Sequence, residues 1–355
     1  MSASEPHRGV QQGSTARQAH YGEFYGLVPL PDDAPLTVVS GNCQAESLRI
    51  MLDGPDLRTV RIPPVFELVA SDLPHLARLL ARTRFFVSQP VHDDYHDLPL
   101  GTAQLAALLP SGARVVRMPV VRFAGLYPFH AIVRPPFDLS LVPPVVEYHD
   151  LRTVMRAWRM REERGAGASA VSGAGAGAAP GARLGAGAGR SAGAAGAASA
   201  VAAATVEQVR AVARQSIAEL SKREVFHDTV VLSDLFAAPD FGLMRTINHP
   251  GNAIWSAAAS RVRSRLSLAE HVVDPGRPLL NAVHAPREAV VIEAFGLETD
   301  PQPDWIVDGR TVATSDVVEA HLDWYAEYPA IIDAAIARHR GTLETLGLLA
   351  AGAAA

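Results

Sequence analysis

The 355-residue sequence predicts an α/β fold, a parallel sheet in a three-layer arrangement with added C-terminal helices. Three observations carry the prediction. Short β-branched apolar runs alternate with helical segments between residues 36 and 118, the connections are short, and a tight turn joins the first strand to the first helix.

Leu36-Thr37-Val38-Val39 follows Pro31, Asp32, Asp33 and Pro35, which marks a buried strand bounded by turn residues. It ends at Ser40-Gly41-Asn42. Residues Ala45 to Leu52 then carry apolar side chains at helical spacing, and Gly54-Pro55 stops them. Arg58 to Ile62 reads as a second strand, Leu73 to Thr83 as a helix with leucines at 73, 76, 79 and 80, and Arg84 to Ser88 as a third strand. Thr102 to Leu109 is a further helix and Ala113 to Met118 a further strand. Asp150 caps a helix over Leu151 to Arg161, and Thr205 with Gln208 forms a capping box for a helix reaching about Phe226. A helix from about Asn252 to Leu266, a short apolar run Ala289 to Ile292 and a C-terminal helix from about Ser315 to Leu346 complete the chain.

Residues 165–204 are almost only Ala and Gly and have little large side-chain surface to bury. The expected organisation is a disordered stretch over 1–24, a single α/β domain made of 25–164 and 205–346, a disordered insert over 165–204 between them, and a disordered tail over 347–355.

Composition narrows function. A formal net charge of −5 gives no global footprint for nucleic acid. One cysteine excludes an internal disulfide framework and a Cys-rich zinc site, and fits a reducing, cytoplasmic setting. No stretch reaches the roughly 18 apolar residues of a membrane helix, and Met1 to His20 lacks the apolar core of a secretory signal.

The lone thiol, Cys43, sits in Gly41-Asn42-Cys43-Gln44 between a buried strand and a helix. A helix N-terminus carries about half a positive charge and unpaired N–H groups, which favour a thiolate and can hold an oxyanion or a phosphate. Gly41 permits close approach of a ligand, and the amides of Asn42 and Gln44 offer oxyanion donors. The alternative is a small buried hydrophobe. GNCQ carries neither dinucleotide-binding glycines nor a Walker lysine.

His249, in Asn248-His249-Pro250, is the candidate general base, distant in sequence from its nucleophile as such pairs usually are. Asn248, Asp234 and Asp240 are candidates to orient it, and Asn248 is also a ligand-binding candidate. The loop Ser88 to His96 follows the third strand, at the sheet edge where open parallel sheets bind ligands. Gln89 and Tyr95 are its substrate-positioning candidates; His92, Asp93, Asp94 and His96 match no metal-ligand spacing, and no metal is predicted.

Val39 to Gln44, the Gln89-Pro90 to Tyr95 loop, Leu100-Gly101-Thr102, the Pro119 to Pro128 segment with Gly125-Leu126-Tyr127-Pro128, and Asn248-His249-Pro250 together resemble the WcbI-type polysaccharide biosynthesis family. The likeness spans roughly residues 34 to 266 and lies in the order and spacing of these motifs. It implies an α/β fold distantly similar to SGNH hydrolases, binding of coenzyme A or acetyl-coenzyme A, and O-acetyl transfer to capsular sugars. Cysteine stands where SGNH enzymes place serine, and His249 matches their late histidine. The Asp those enzymes carry three residues earlier is Thr246 here.

The expected function is therefore coenzyme A-dependent O-acyl transfer to a sugar or polysaccharide precursor, with Cys43 as nucleophile or as part of the oxyanion site. An SGNH-like esterase or thioesterase, with water as acceptor, and a non-catalytic nucleotide- or glycan-binding module are the alternatives.

Overall fold

A computed structural model of the chain describes residues 15–30, 32–135, 137–173, 204–271 and 273–350. Four strands form one parallel sheet: β1 (Leu36–Ser40), β2 (Arg58–Val60), β3 (Phe85–Ser88) and β4 (Arg114–Arg117), in the order β2-β1-β3-β4. Every pairing is parallel, with Val39 opposite Val87 and Val87 opposite Val116.

Side-chain alternation makes the three layers. Val39, Phe85 and Val87 point to a cluster holding Leu48 and Met51 of helix α1 (Cys43–Leu52), while Val38, Phe86 and Val60 point the other way, to Leu76, Leu79 and Leu80 of α2 (Leu73–Leu80). Both faces are thus covered, which is why β1 is buried at every position. The chain leaves β1 on one side for β2 and returns across the sheet to β3, so β1 and β3 meet at a switch point, the place at whose carboxyl end open α/β sheets bind ligands.

Helices follow as α3 (Thr102–Ala106), α4 (Leu151–Gly173), α5 (Val206–His227) and α6 (Asn252–Arg265). Asp150 Oδ1 accepts from Arg152 N at 2.8 Å, and Thr205 and Gln208 form the reciprocal capping box of α5. The apolar run from Ala289 is helix α7 (Ala289–Phe295). A three-stranded antiparallel sheet joins Val283–His284, Trp305–Val307 and Arg310–Val312, its hairpin turned by Asp308 and Gly309, both at positive φ.

Four expectations about order and boundaries are corrected. Residues 15–20 and Gly22–Tyr25 are helical, because Phe24 is fully buried on the α2 side and the Arg17 guanidinium pairs with Asp72 at 2.9 Å. Helix α4 runs on to Gly173, nine residues into the Ala/Gly segment: an established helix propagates through Ala at little cost, each Gly subtracting about 1 kcal/mol. Residues 1–14, 174–203 and 351–355 lie outside the described residues. In the expected tail, Leu348 and Leu349 are buried, with Leu348 N donating to Leu343 O around Gly347 at φ 68°. The C-terminal helix is two helices, α8 (Thr314–Glu327) and α9 (Ala330–Thr345), broken at Pro329, which disfavours a helical residue before it.

Candidate functional site

The first wall of the site is the β1–α1 turn. Asn42 caps α1, its Oδ1 accepting from Gln44 N at 2.9 Å. A side chain at Gly41 would overlap Gln89, which explains glycine there. Gln89, buried at the end of β3, accepts from Asn42 N at 2.8 Å and donates to Gln44 Oε1 at 3.2 Å.

Gln44 is the joint of the site. Its Nε2 donates to Val121 O and to Asn248 O, both at 2.8 Å, and its Oε1 accepts from Val121 N at 3.0 Å as well as from Gln89. All four hydrogen-bonding positions of this buried amide are used. Gln44 and Gln89, read from sequence as ligand or oxyanion groups, therefore face each other and the backbone. Among the described residues, Asn42 Nδ2 has no partner and is the side-chain donor the turn leaves open.

The second wall is a tight hairpin, Met244–Thr246 against His249–Pro250. Tyr127 Oη donates to Met244 O at 2.9 Å, Trp255 Nε1 donates to Pro250 O at 3.1 Å, and Phe123 N donates to Ile247 O at 2.9 Å. Gly251 N donates to Leu243 O at 2.7 Å, and a side chain at Gly251 would overlap Gly242 O. This packing fixes His249, and the Gln44–Asn248 bond ties it to the Cys43 turn.

Two residues that sequence reading passed over complete the wall. Tyr148 is buried; its hydroxyl donates to Asn248 Oδ1 at 2.8 Å and lies 3.4–3.5 Å from the His249 ring nitrogens. Glu147 pairs with Arg134 at 2.7 Å and acts electrostatically on Cys43, His249 and Tyr148. The signal that marks them is the ionisable run Glu147-Tyr148-His149-Asp150 before a capped helix.

Thr246, where the resemblance expects a carboxylate, is fully buried, its hydroxyl 3.0 Å from Tyr148 Oη and 3.1 Å from Asn248 Oδ1. The other orienting candidates are spent elsewhere: Asp234 pairs with Arg261, and Asp240 accepts from Gly242 N. Tyr95 stacks on His96 and packs on the α2-side cluster. Among the described residues, no group of three His, Cys, Asp or Glu is placed to hold a metal.

Electrostatics separate the two reactive groups. Burial pushes the Cys43 thiol above its ordinary 9.0, with the Glu147 charge adding, against the opposing pull of the Cys43 and Gln44 N–H groups. Burial thus works against the pull toward thiolate that the helix N-terminus exerts. Burial lowers the His249 imidazole below 6.5, with Arg245 and His284 assisting and Glu147 opposing, so the ring is neutral at pH 7. The Cys43 thiol is held against the N–H groups of Cys43 and Gln44 in the first turn of α1.

Behind Tyr148, its ring stacks on Trp305, which in turn packs on His130. A cavity of about 980 Å³ lies farther along this side, lined by Asp150, Arg152, Arg156, Arg159, Glu288 and Asp304 among others.

A family model described as polysaccharide biosynthesis enzyme WcbI matches residues 36–172 and 183–271, more than half of the chain. Among solved structures, one of WcbI, described as a novel polysaccharide biosynthesis enzyme and as the native protein without a disulfide bond between coenzyme A and a cysteine, is similar at a TM-score of 0.65. It is 18% identical, and the match covers 88% of this chain and 98% of that one. No curated protein matches. Among the described residues, no helix is long and apolar enough to cross a membrane.

Proposed function

Because this chain belongs to the family of the polysaccharide biosynthesis enzyme WcbI, we propose that it is a coenzyme A-dependent O-acyltransferase acting on a hydroxyl of a sugar or polysaccharide precursor, with acetyl-coenzyme A as donor. The observation that carries the reading is the Gln44 bridge: one buried amide, next in sequence to the only thiol of the chain, bonds the Asn248 carbonyl and so draws the hairpin that carries His249 against the Cys43 turn. The solved relative, described with reference to coenzyme A and a cysteine, supports a thioester donor arriving beside Cys43.

In the step that fits these groups, the acceptor hydroxyl oxygen attacks the thioester carbonyl while neutral His249 takes its proton. The carbonyl oxygen gains charge beside Asn42 Nδ2 and the first turn of α1. The tetrahedral centre then collapses, the C–S bond breaks, and the coenzyme leaves as its thiol, recovering the proton from His249. Cys43, held as the neutral thiol, lines the thioester side of this path.

The test is a thermal shift of the protein with coenzyme A and acetyl-coenzyme A, paired with a thiol-release assay with and without sugar acceptors. Native-state binding raises stability by about 2.7 kcal/mol at a hundredfold excess over Kd. The expected result is a shift, acceptor-dependent thiol release, its loss in His249→Ala and substantial retention in Cys43→Ser. Release without an acceptor would assign a thioesterase, a trapped acyl-Cys43 would assign a two-step route, and neither shift nor release would refute the donor.

A further inference from the structure

The crevice has a basic annex that the acyl-transfer step does not use. A recess of about 230 Å³ is walled by Pro90, Pro119 and Val120 and holds the side chains of Arg122, Arg223 and His227. Pro90 follows Gln89 and Val120 precedes Val121, so the recess adjoins the residues that clamp the Cys43 turn.

Its charges are unbalanced. Among the described residues, Arg122, Arg223 and Arg338 make no ion pair, and Arg223, Arg338 and Arg134 all act repulsively on Arg122. Of the carboxylates that act on Arg122 and Arg223, Glu147 is paired with Arg134 and Glu224 is taken by the backbone N–H groups of Leu232 and Ser233 and the Ser233 hydroxyl, which leaves Glu219 to offset Arg223 without an ion pair. Arg122 and Arg223 line one recess walled partly by proline and valine, and a guanidinium cannot shed its charge to relieve the repulsion. An anion with several oxygens relieves it, because the planar fork of Arg pairs bidentately with phosphate.

We propose that Arg122 and Arg223, with Arg338 nearby, form a phosphate-binding recess that receives the phosphate groups of the coenzyme while its thioester end lies at Cys43. The inference rests on the donor reading above and adds to it which residues recognise the donor's charged end. It also fixes polarity: the coenzyme runs from the end of β4 toward the β1–α1 turn.

Isothermal titration of the full chain at fixed ionic strength tests it, with coenzyme A, pantetheine and pyrophosphate as probes. The expected result is a tenfold or larger rise in Kd for coenzyme A in Arg122→Gln and in Arg223→Gln, partial recovery in Arg122→Lys, and unchanged pantetheine binding. Far-ultraviolet circular dichroism of each variant confirms that the fold is kept. Equal coenzyme A affinity in wild type and both Gln variants would overturn the recess while leaving the donor reading intact. Arginine-dependent binding of pyrophosphate without coenzyme A binding would keep the recess and remove the donor reading, and absence of both would overturn both.

Discussion

The two walls of the site are built on opposite principles. On the β1–α1 side, the hydrogen-bonding capacity of Gln44 is fully used and the Gln89 amide is committed to Asn42 and Gln44, so that wall is scaffold. On the hairpin side, His249 is held by backbone packing and touched by Tyr148 only at 3.4–3.5 Å, so its ring keeps proton-transfer capacity. The difference teaches that residue type alone does not separate a substrate-binding amide from a structural one; the count of satisfied atoms does.

Substitutions on the two walls should therefore fail in different assays. The largest effect is on rate: His249→Ala lowers kcat by about a thousandfold, within the range for a lost general base, while thermal unfolding moves little. Second comes stability: Gln44→Leu strands Val121 N, Val121 O and Asn248 O, and costs about 3 kcal/mol in denaturant unfolding. If Gln44→Leu instead unfolds like wild type and only loses rate, the scaffold assignment is wrong. Third, Tyr148→Phe removes the donor to Asn248 Oδ1 and lowers kcat about tenfold by loosening the His249 loop. Its kcat/KM profile should move with it. In wild type, the depressed histidine keeps the base neutral and the acid limb below pH 6.5.

The thiol sharpens the contrast in the other direction. With its folded value raised above 9.0, Cys43 is alkylated by iodoacetamide more slowly than a free thiol at neutral pH, and the rate is still climbing past pH 9.0. Fast alkylation at pH 7 would restore the thiolate.

The smallest effect lies behind the site. Burial holds the folded His130 at about 4 and His149 at about 3, against 6.5 unfolded. Below pH 6.5 the unfolded chain binds more protons than the folded one, so stability falls with falling pH until about 4. Each group contributes about 0.7 kcal/mol of that loss between pH 7 and 6. Replacing His130 with Phe should flatten the pH dependence of the unfolding midpoint.

Much of this was legible in the sequence, for local reasons. The strands β1 to β4 announce themselves by β-branched runs, and the Cys43 turn by a Gly-Asn pair before a helical pattern. The nearness of the Cys43 and His249 segments, joined through Gln44 and the Asn248 carbonyl, is not visible in local sequence and rests there on the family resemblance. Tyr148 and Glu147 were missed because their roles arise from contacts across the chain, as with Tyr148 and Asn248, 100 positions apart. For the thiol, a helix terminus is visible in sequence and the burial that opposes it is not. The packing of Tyr95 on the α2-side cluster is hidden for a related reason, since it depends on how the loop after β3 folds back.

The Gln44–Asn248 bond closes a loop of 204 positions, and α4, the Ala/Gly segment and α5 all lie inside it. In topological terms, the site exists only where the hairpin returns to the turn after β1. Each doubling of such a loop adds only about 0.6 kcal/mol of closure entropy. The Ala/Gly segment is thus free to lengthen or shorten over generations at little cost, while a change to the single amide that closes the loop dismantles both walls at once.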